Sequence, residues 1–359
     1  MRVALILYGD LDFISGGFLY DRMLVDYLRG QGEEVEIVSL PWRSYARGLL
    51  DNLSPRLKRS LASLRADVIL QDELAHPSLF GLNRGLRGPG RPPVIAIVHH
   101  LRCSEARPGW QNFGYRLVER CYLASVTGFI FNSRTTQGSV QKLVGGEKPS
   151  VLALPAADRF AVRLTPEDLD ARAREPGLLR VLFLGNVIAR KGLHTLVEAL
   201  ARLPRESWRL TVVGSLDADQ AYAQQIKRQI DRAGLGERVD FAGVLEEEKL
   251  ASILAQSQVL AVPSSYEGYG IVYLEGMAFG LPAMATTAGG AQEIITSGWD
   301  GFLIAPGDAE TMADHLETLM DDRDLLVSMS LAAQARFAAH PTWEDAGAAV
   351  HRFLQSLVS

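Results

Sequence analysis

The sequence predicts an α/β protein built from two successive doubly wound units. Three observations carry that reading. Short apolar runs of strand length alternate with amphipathic helical stretches along the chain. The alternation weakens once, around residues 155–178, where Pro155, Pro166, Pro176 and Gly177 flank the charged segment 163–174, and then restarts. A length of 359 residues fits two domains at roughly 150 residues each. The expected division is 1–160 and 161–342.

In the first unit, residues 2–8 form a short apolar run, as a strand buried on both faces should. Gly16 and Gly17 follow, then a helical stretch over 18–29 with apolar positions at 19, 20, 23, 24, 27 and 28. Further strands are expected at 35–40, 67–70, 94–98 and 128–131, with helices around 77–85, 110–125 and 134–144. In the second unit the expected order is strand 180–184, helix 191–202, strand 208–213, helix 219–233, strand 238–241, helix 247–256, strand 258–262, helix 271–279 and strand 282–285. Helices at about 308–320, 322–339 and 343–357 complete the chain, the last following His340-Pro341. Open parallel sheets bind ligands at the carboxyl ends of their strands. Two such units facing each other across a cleft would present one ligand from each side.

Composition narrows the function classes. With 47% hydrophobic and 22% charged residues, whole-chain disorder, collagen and coiled coil are excluded. The two cysteines, Cys103 and Cys121, are too few and wrongly spaced for a disulfide scaffold or a structural zinc site. The apolar run 3–8 is too short for a secretory signal core, and no run approaches the ~18 apolar residues of a spanning helix. A cytoplasmic setting is the expectation. Residues 1–150 hold 19 Lys+Arg against 14 Asp+Glu, and the remainder holds 18 against 28. A basic first half and an acidic second half suggest separate jobs. Nucleic acid is not an expected partner.

The segment 263–282 is the most informative: a strand end, a glycine-rich turn, then a helix. Residues after Gly270 would place backbone N–H groups at a helix N-terminus, a ready anion site. Glu267 precedes that turn and Glu275 lies one to two turns into the helix. Phosphate on the amides with hydroxyls on the carboxylates describes a nucleotide sugar; a plain turn with two solvated glutamates is the competing reading. Residues 183–193 follow the first strand of the second unit. Arg190 and Lys191 at a helix start oppose the dipole unless they neutralise a diphosphate. Gly16-Gly17 does not complete a G-x-G-x-x-G fingerprint, though it allows close backbone approach to a ligand. His99-His100 end a strand, where a histidine would face a cleft.

Glu267 and Glu275 form an E-x7-E pattern inside P-S-x-x-E-G-[YF]-G-x-x-x-L-E-x-M-A-x-G-x-P, followed by Ala288-Gly289-Gly290, Glu293, Gly298, Asp300-Gly301-Phe302-Leu303, Pro306 and Asp308. This closely resembles retaining glycosyltransferases of family 4 (group 1), which have the GT-B fold of two Rossmann-like domains. The resemblance covers nearly the whole chain and is strongest from Val181 to Asp308. It implies a metal-independent, retaining transfer of a sugar from a nucleoside-diphosphate donor held by the second domain to an acceptor hydroxyl on the first. It implies no cofactor. Lys191 matches the family lysine on the donor diphosphate. Glu267 matches the glutamate near the sugar hydroxyls, and Glu275 the one on the ribose. The amides of Tyr269, Gly270 and Ile271, beside Gly268, would meet the phosphates. Gly17, with Gly16 beside it on the donor side, matches the first-domain glycine near the phosphate, and His99 matches the strand-end histidine close to sugar and acceptor. The helix at 343–357 resembles the segment that crosses back to the first domain. Where the family usually carries Gly-Arg, this chain has Gly185-Asn186, so Arg190 is the candidate for the missing charge.

Competing classes remain. Asp217-x-Asp219 and Asp10-x-Asp12 match the metal-binding Asp-x-Asp of single-domain transferases, although helix-capping or loop acids explain them as well. A non-catalytic nucleotide-sugar-binding relative is a second alternative. Residues 43–65 hold six basic residues against Asp51, with Leu49, Leu53, Leu57 and Leu61 every four positions and Pro55 interrupting them. Two short helices are expected there. They either contact anionic lipid at the inner membrane face or, the preferred reading, pack on the core with a solvated basic face. The acceptor could be a glycan, a lipid-linked sugar or a small molecule, read by loops such as 41–60 and 101–114.

Overall fold

A computed structural model describes every residue except Ile14, Ala106, Arg163 and Ser359. Two of these fall inside expectations: Ile14 in the loop before Gly16, and Arg163 at the head of the charged segment. Both lie outside the described residues, as does Ala106 in the 101–114 loop. The chain divides into unit 1, Met1–Ala156 with Pro341–Ser359, and unit 2, Ala157–His340.

Unit 1 holds a six-stranded, all-parallel sheet: β1 (Arg2–Tyr8), β2 (Glu34–Leu40), β3 (Val68–Asp72), β4 (Val94–Val98), β5 (Gly128–Phe131) and β6 (Ser150–Leu152), in the order β2-β1-β3-β4-β5-β6. The central strands β3, β4 and β5 are buried along their whole length. That burial on both faces is why they appear as unbroken apolar runs rather than alternating ones. The order reverses between β1 and β3, so the loops after these strands open at a topological switch point.

Helix Gly16–Gly30 starts where Ser15 accepts the Phe18 amide at 3.3 Å. The terminal helix Trp343–Val358 belongs to the same unit and packs on Gly16–Gly30. There His351 Nε2 meets Glu33 Oε1 at 2.6 Å, and Glu33 also binds the N-terminal ammonium.

The segment 43–65 forms two helices, Tyr45–Asp51 and Pro55–Ala62, because Ser54 caps the second and Pro55 opens it. Its leucine stripe divides: Leu57 and Leu61 join the core cluster, while Leu53 is 79% exposed and its neighbour Leu50 63%. The helix expected at 77–85 is two short pieces, His76–Leu79 and the 3-10 turn Leu82–Leu86.

Unit 2 repeats the plan with β7 (Leu179–Leu184), β8 (Trp208–Val213), β9 (Val239–Gly243), β10 (Val259–Ala261), β11 (Ala283–Thr286) and β12 (Gly301–Ile304). Their order is β12-β11-β10-β7-β8-β9, again all parallel. Here the switch point lies between β7 and β10, paired through Val259↔Val181 and Leu260↔Leu182. The loops leaving these two strands are the segments 185–192 and 262–270. The sheet therefore brings together the two segments that the sequence marks as chemically active.

Candidate functional site

Loop 185–192 ends in a 3-10 turn, Ala189–Lys191, closed by Gly192 in the left-handed region (φ 74°). A Cβ at Gly192 would overlap the Pro263 carbonyl of the neighbouring loop, so this approach requires glycine. Ser265 N donates to Arg190 O at 2.8 Å and locks the two loops together. Helix Leu193–Ala201 starts after Gly192, two residues later than expected, so Arg190 and Lys191 precede the helix rather than opening it.

The result is a buried ion cluster. Lys191 Nζ donates to Glu267 Oε1 at 2.6 Å, and Ser264 Oγ donates to the same oxygen at 2.7 Å. Arg190 Nη1 lies 3.4 Å from Glu267 Oε2 and donates to the Tyr266 carbonyl at 2.8 Å. Burial alone would push the Glu267 carboxyl up. Lys191 and Arg190 outweigh it, and the group is held down at about 2. Lys191 is lowered from the usual lysine range because burial disfavours its charge and Glu267 only partly restores it. Glu267 therefore stays a carboxylate across the physiological range.

Gly270 is the N-cap of helix Ile271–Ala278 at φ 104°, and no side chain caps that helix. A Cβ there would overlap the Tyr273 ring, so glycine is again required. The first amides of a helix have no intrahelical acceptor, which leaves Gly268, Tyr269, Gly270 and Ile271 beside a helix terminus suited to an anion. Behind the turn, Gly290 N donates to Glu267 O at 2.9 Å, and a Cβ at Gly289 or Gly290 would overlap the Glu267 or Gly268 carbonyl, which explains the glycine pair in the sequence.

Glu275 lies further along the same helix and is 4% exposed. It is not hydrogen-bonded to Glu267. Instead Arg159 grips its Oε1 with Nε at 2.9 Å and Nη2 at 2.6 Å, and reaches Glu247 at 3.4 Å. Asn186 Oδ1 accepts the Ser215 amide at 3.3 Å, tying the loop after β7 to that after β8, while Gly185 packs against the Lys191 stem. Sequence reasoning missed Ser264 as a Glu267 partner and Arg159 altogether. Ser264 sits three residues from Glu267 within the quoted motif; Arg159 carried no local signal.

Gly16, Gly17 and His99 belong to unit 1. A Cβ at Gly17 would stand 3.1 Å from the His99 ring, so the glycine makes room for the imidazole. His99 Nε2 meets the buried Asp21 at 3.2 Å, and Asn132 Nδ2 donates to the His99 carbonyl at 2.9 Å. Burial opposes the imidazolium, yet Asp21, Asp72 and Glu73 together raise His99 to about 9. Asp72 is itself pushed up to about 7, by burial first and by Asp21 second. The neighbouring carboxylates, Asp21 foremost, thus favour the imidazolium form of His99.

Two groups have the composition of a metal site among the described residues: Asp21, Asp72 and His99, and Glu73, His76 and Glu119. In both the histidine is already engaged by a carboxylate. The Asp-x-Asp matches have local work: Asp219 caps helix Gln220–Ala233 through the Tyr222 amide at 3.0 Å, Asp217 accepts from Gln220, and Asp10 accepts the Asp12 amide.

Residues 166–336 match the family model for glycosyl transferases group 1. Among curated proteins, the chain is 30% identical over 210 residues to alpha-D-kanosaminyltransferase of Streptomyces kanamyceticus, covering 56% of this chain and 52% of that one. It is 28% identical over 249 residues to D-inositol 3-phosphate glycosyltransferase of Xylanimonas cellulosilytica, covering 66% and 58%. The chain thus spans little more than half the length of these relatives. Among solved structures, sucrose-phosphate synthase from Thermosynechococcus elongatus superposes with a TM-score of 0.83 at 23% identity, covering 99% of this chain and 98% of that one. Anabaena HepE in complex with UDP and glucose superposes at 0.80 with 20% identity, covering 99% and 100%. These likenesses give the fold, GT-B, with two Rossmann-like domains. The family match lies within unit 2 and covers somewhat under half of the chain, and it is there that the chain is similar to the group 1 glycosyltransferases.

Proposed function

We propose that the protein transfers a sugar from a nucleoside-diphosphate donor to an acceptor hydroxyl, with the donor bound by unit 2. One observation supports this above the rest. The Lys191–Glu267 pair, at 2.6 Å, lies in the loops of the switch-point strands β7 and β10, just ahead of the uncapped N-terminus of Ile271–Ala278. Cations and helix amides together suit a diphosphate, and a carboxylate that Lys191 and Arg190 hold ionised suits sugar hydroxyls.

In this reading the bond between the anomeric carbon and the diphosphate oxygen breaks while the acceptor oxygen bonds to that carbon from the same face. The acceptor proton passes to the departing diphosphate, and configuration is retained. Lys191, Arg190 and the amides at 269–271 stabilise the charge that develops on the leaving group. Ser264 and Lys191 fix the Glu267 carboxylate for the donor hydroxyls, and Glu275, oriented by Arg159, takes the ribose. Arg190 supplies the cation that Asn186 does not. His99 is assigned to the acceptor side of the reaction. This charge stabilisation comes from the protein itself, so catalysis is proposed to need no divalent metal.

The experiment is product analysis with UDP-, GDP- and ADP-sugars, for the parent and Glu267→Ala, with and without a chelator. The expected result is sugar release or transfer from one donor class, unaffected by chelation and reduced about 100-fold or more by the substitution. Turnover that chelation abolishes would remove the metal-independent reading. Turnover indifferent to Glu267 would remove the site.

A further inference from the structure

We propose that the outward face of helix Gly109–Ser125 is a lipid-docking surface that seats unit 1 on an anionic bilayer. The helix buries Glu119, Tyr122, Leu123 and Ser125. Its opposite face exposes Trp110 at 75%, Phe113 at 72% and Leu117 at 57%. Positions 110, 113 and 117 follow i, i+3, i+7 and share one stripe. An ordinary surface helix points such a stripe inward; here it points to solvent. Arg116 and Arg120, both exposed, edge the same face. The only acid between residues 107 and 125 is Glu119, which is fully buried and accepts the amides of Arg102 and Cys103.

Helix Tyr45–Asp51 lies alongside, the Tyr45 and Tyr115 rings meeting at 4.7 Å. It leads to the exposed Leu50 and Leu53, then to exposed Arg56, Lys58 and Arg59. An apolar stripe with tryptophan and arginines, free of exposed acid, has the make-up of an interfacial helix on anionic lipid. A second copy of the chain is a poorer occupant, because it would bring like charges together. The wedge is therefore 109–125, with 43–65 supplying further positive charge rather than the main contact.

The test is flotation of the full chain with vesicles of phosphatidylcholine alone or mixed with phosphatidylglycerol. Quenching of tryptophan fluorescence by brominated lipid is measured alongside. The expected result is salt-sensitive binding to the mixed vesicles, weakened about tenfold or more in W110S/F113S/L117S. Quenching should fall sharply in W110F. An unchanged melting temperature in the triple variant shows that the fold is intact, and R116E/R120E gives a second, charge-only loss. No binding to the anionic vesicles overturns the proposal, as does equal binding by the triple variant. So does binding that R56E/K58E/R59E abolishes while Trp110 is never quenched, or self-association in solution that the triple variant removes. None of these outcomes touches the donor site.

Discussion

Replacing Lys191 with methionine removes the ammonium from a carboxylate that is 7% exposed. Glu267 keeps Ser264 at 2.7 Å and Arg190 at 3.4 Å, but loses the shortest of its contacts to a cation. Breaking a buried pair by removing one partner costs about 3–5 kcal/mol. The depression of Glu267 from 4.5 to about 2 corresponds to roughly 3 kcal/mol of net stabilisation of its charge, shared between Lys191 and Arg190. The lower end of the range is therefore expected, about 3 kcal/mol. For a domain of 150–250 residues that is a fall of ~6–12 °C in melting temperature by scanning calorimetry. Adding Glu267→Gln removes the stranded charge while keeping an acceptor for Ser264. The double variant should regain at least half of the lost stability and none of the activity. A single variant within about 0.5 kcal/mol of the parent, or a double variant as unstable as the single, would show that the pair is not the coupled buried unit described here.

Gly192→Ala should cost about 1–3 kcal/mol and sharply lower donor affinity, because its φ of 74° and the Pro263 carbonyl leave no room for a Cβ; denaturant titration and a binding titration check both. Stability should also fall as pH rises. His99 is raised from 6.5 to about 9 in the folded state, so its contribution is full below pH 6.5 and lost as pH rises through 9. Asp72, raised from 3.8 to about 7, acts in the same direction over that lower window. Unfolding free energies at about pH 7.5 and pH 9, above the Asp72 window, for the parent and His99→Gln test this; a slope between the two that survives the substitution counts against the Asp21–His99 pair as its source. Arg159→Met should weaken nucleoside diphosphate binding several-fold while inorganic pyrophosphate binding stays unchanged, because Arg159 holds Glu275 and not the Lys191 cluster.

Much of this was legible in the sequence, for identifiable reasons. Strands such as Arg2–Tyr8 and Val94–Val98 declare themselves because both faces are buried. The strands that escaped, Ser150–Leu152 and Gly301–Ile304, have three and four residues at sheet edges, and the second opens on a glycine pressed against Ala283. Glu267, Lys191 and the glycine turn were visible as a motif. Their direct pairing was not, because Lys191 and Glu267 are 76 residues apart and meet only through the neighbouring strands β7 and β10. Arg159 is 116 residues from Glu275, and no local pattern marks it. The leucine stripe of 43–65 misled in part: spacing of four fixes a helical face but not its direction, and Leu61 went to the core while Leu53 went to solvent.

The most direct measurement is calorimetric titration of UDP, GDP and ADP into the parent chain and into Glu275→Gln and Lys191→Met. The expected result is one preferred nucleotide, bound at least about tenfold more weakly by each variant. Equal binding of all three, or binding that neither substitution alters, would contradict a donor site built on Lys191, Glu267 and the turn at Gly270.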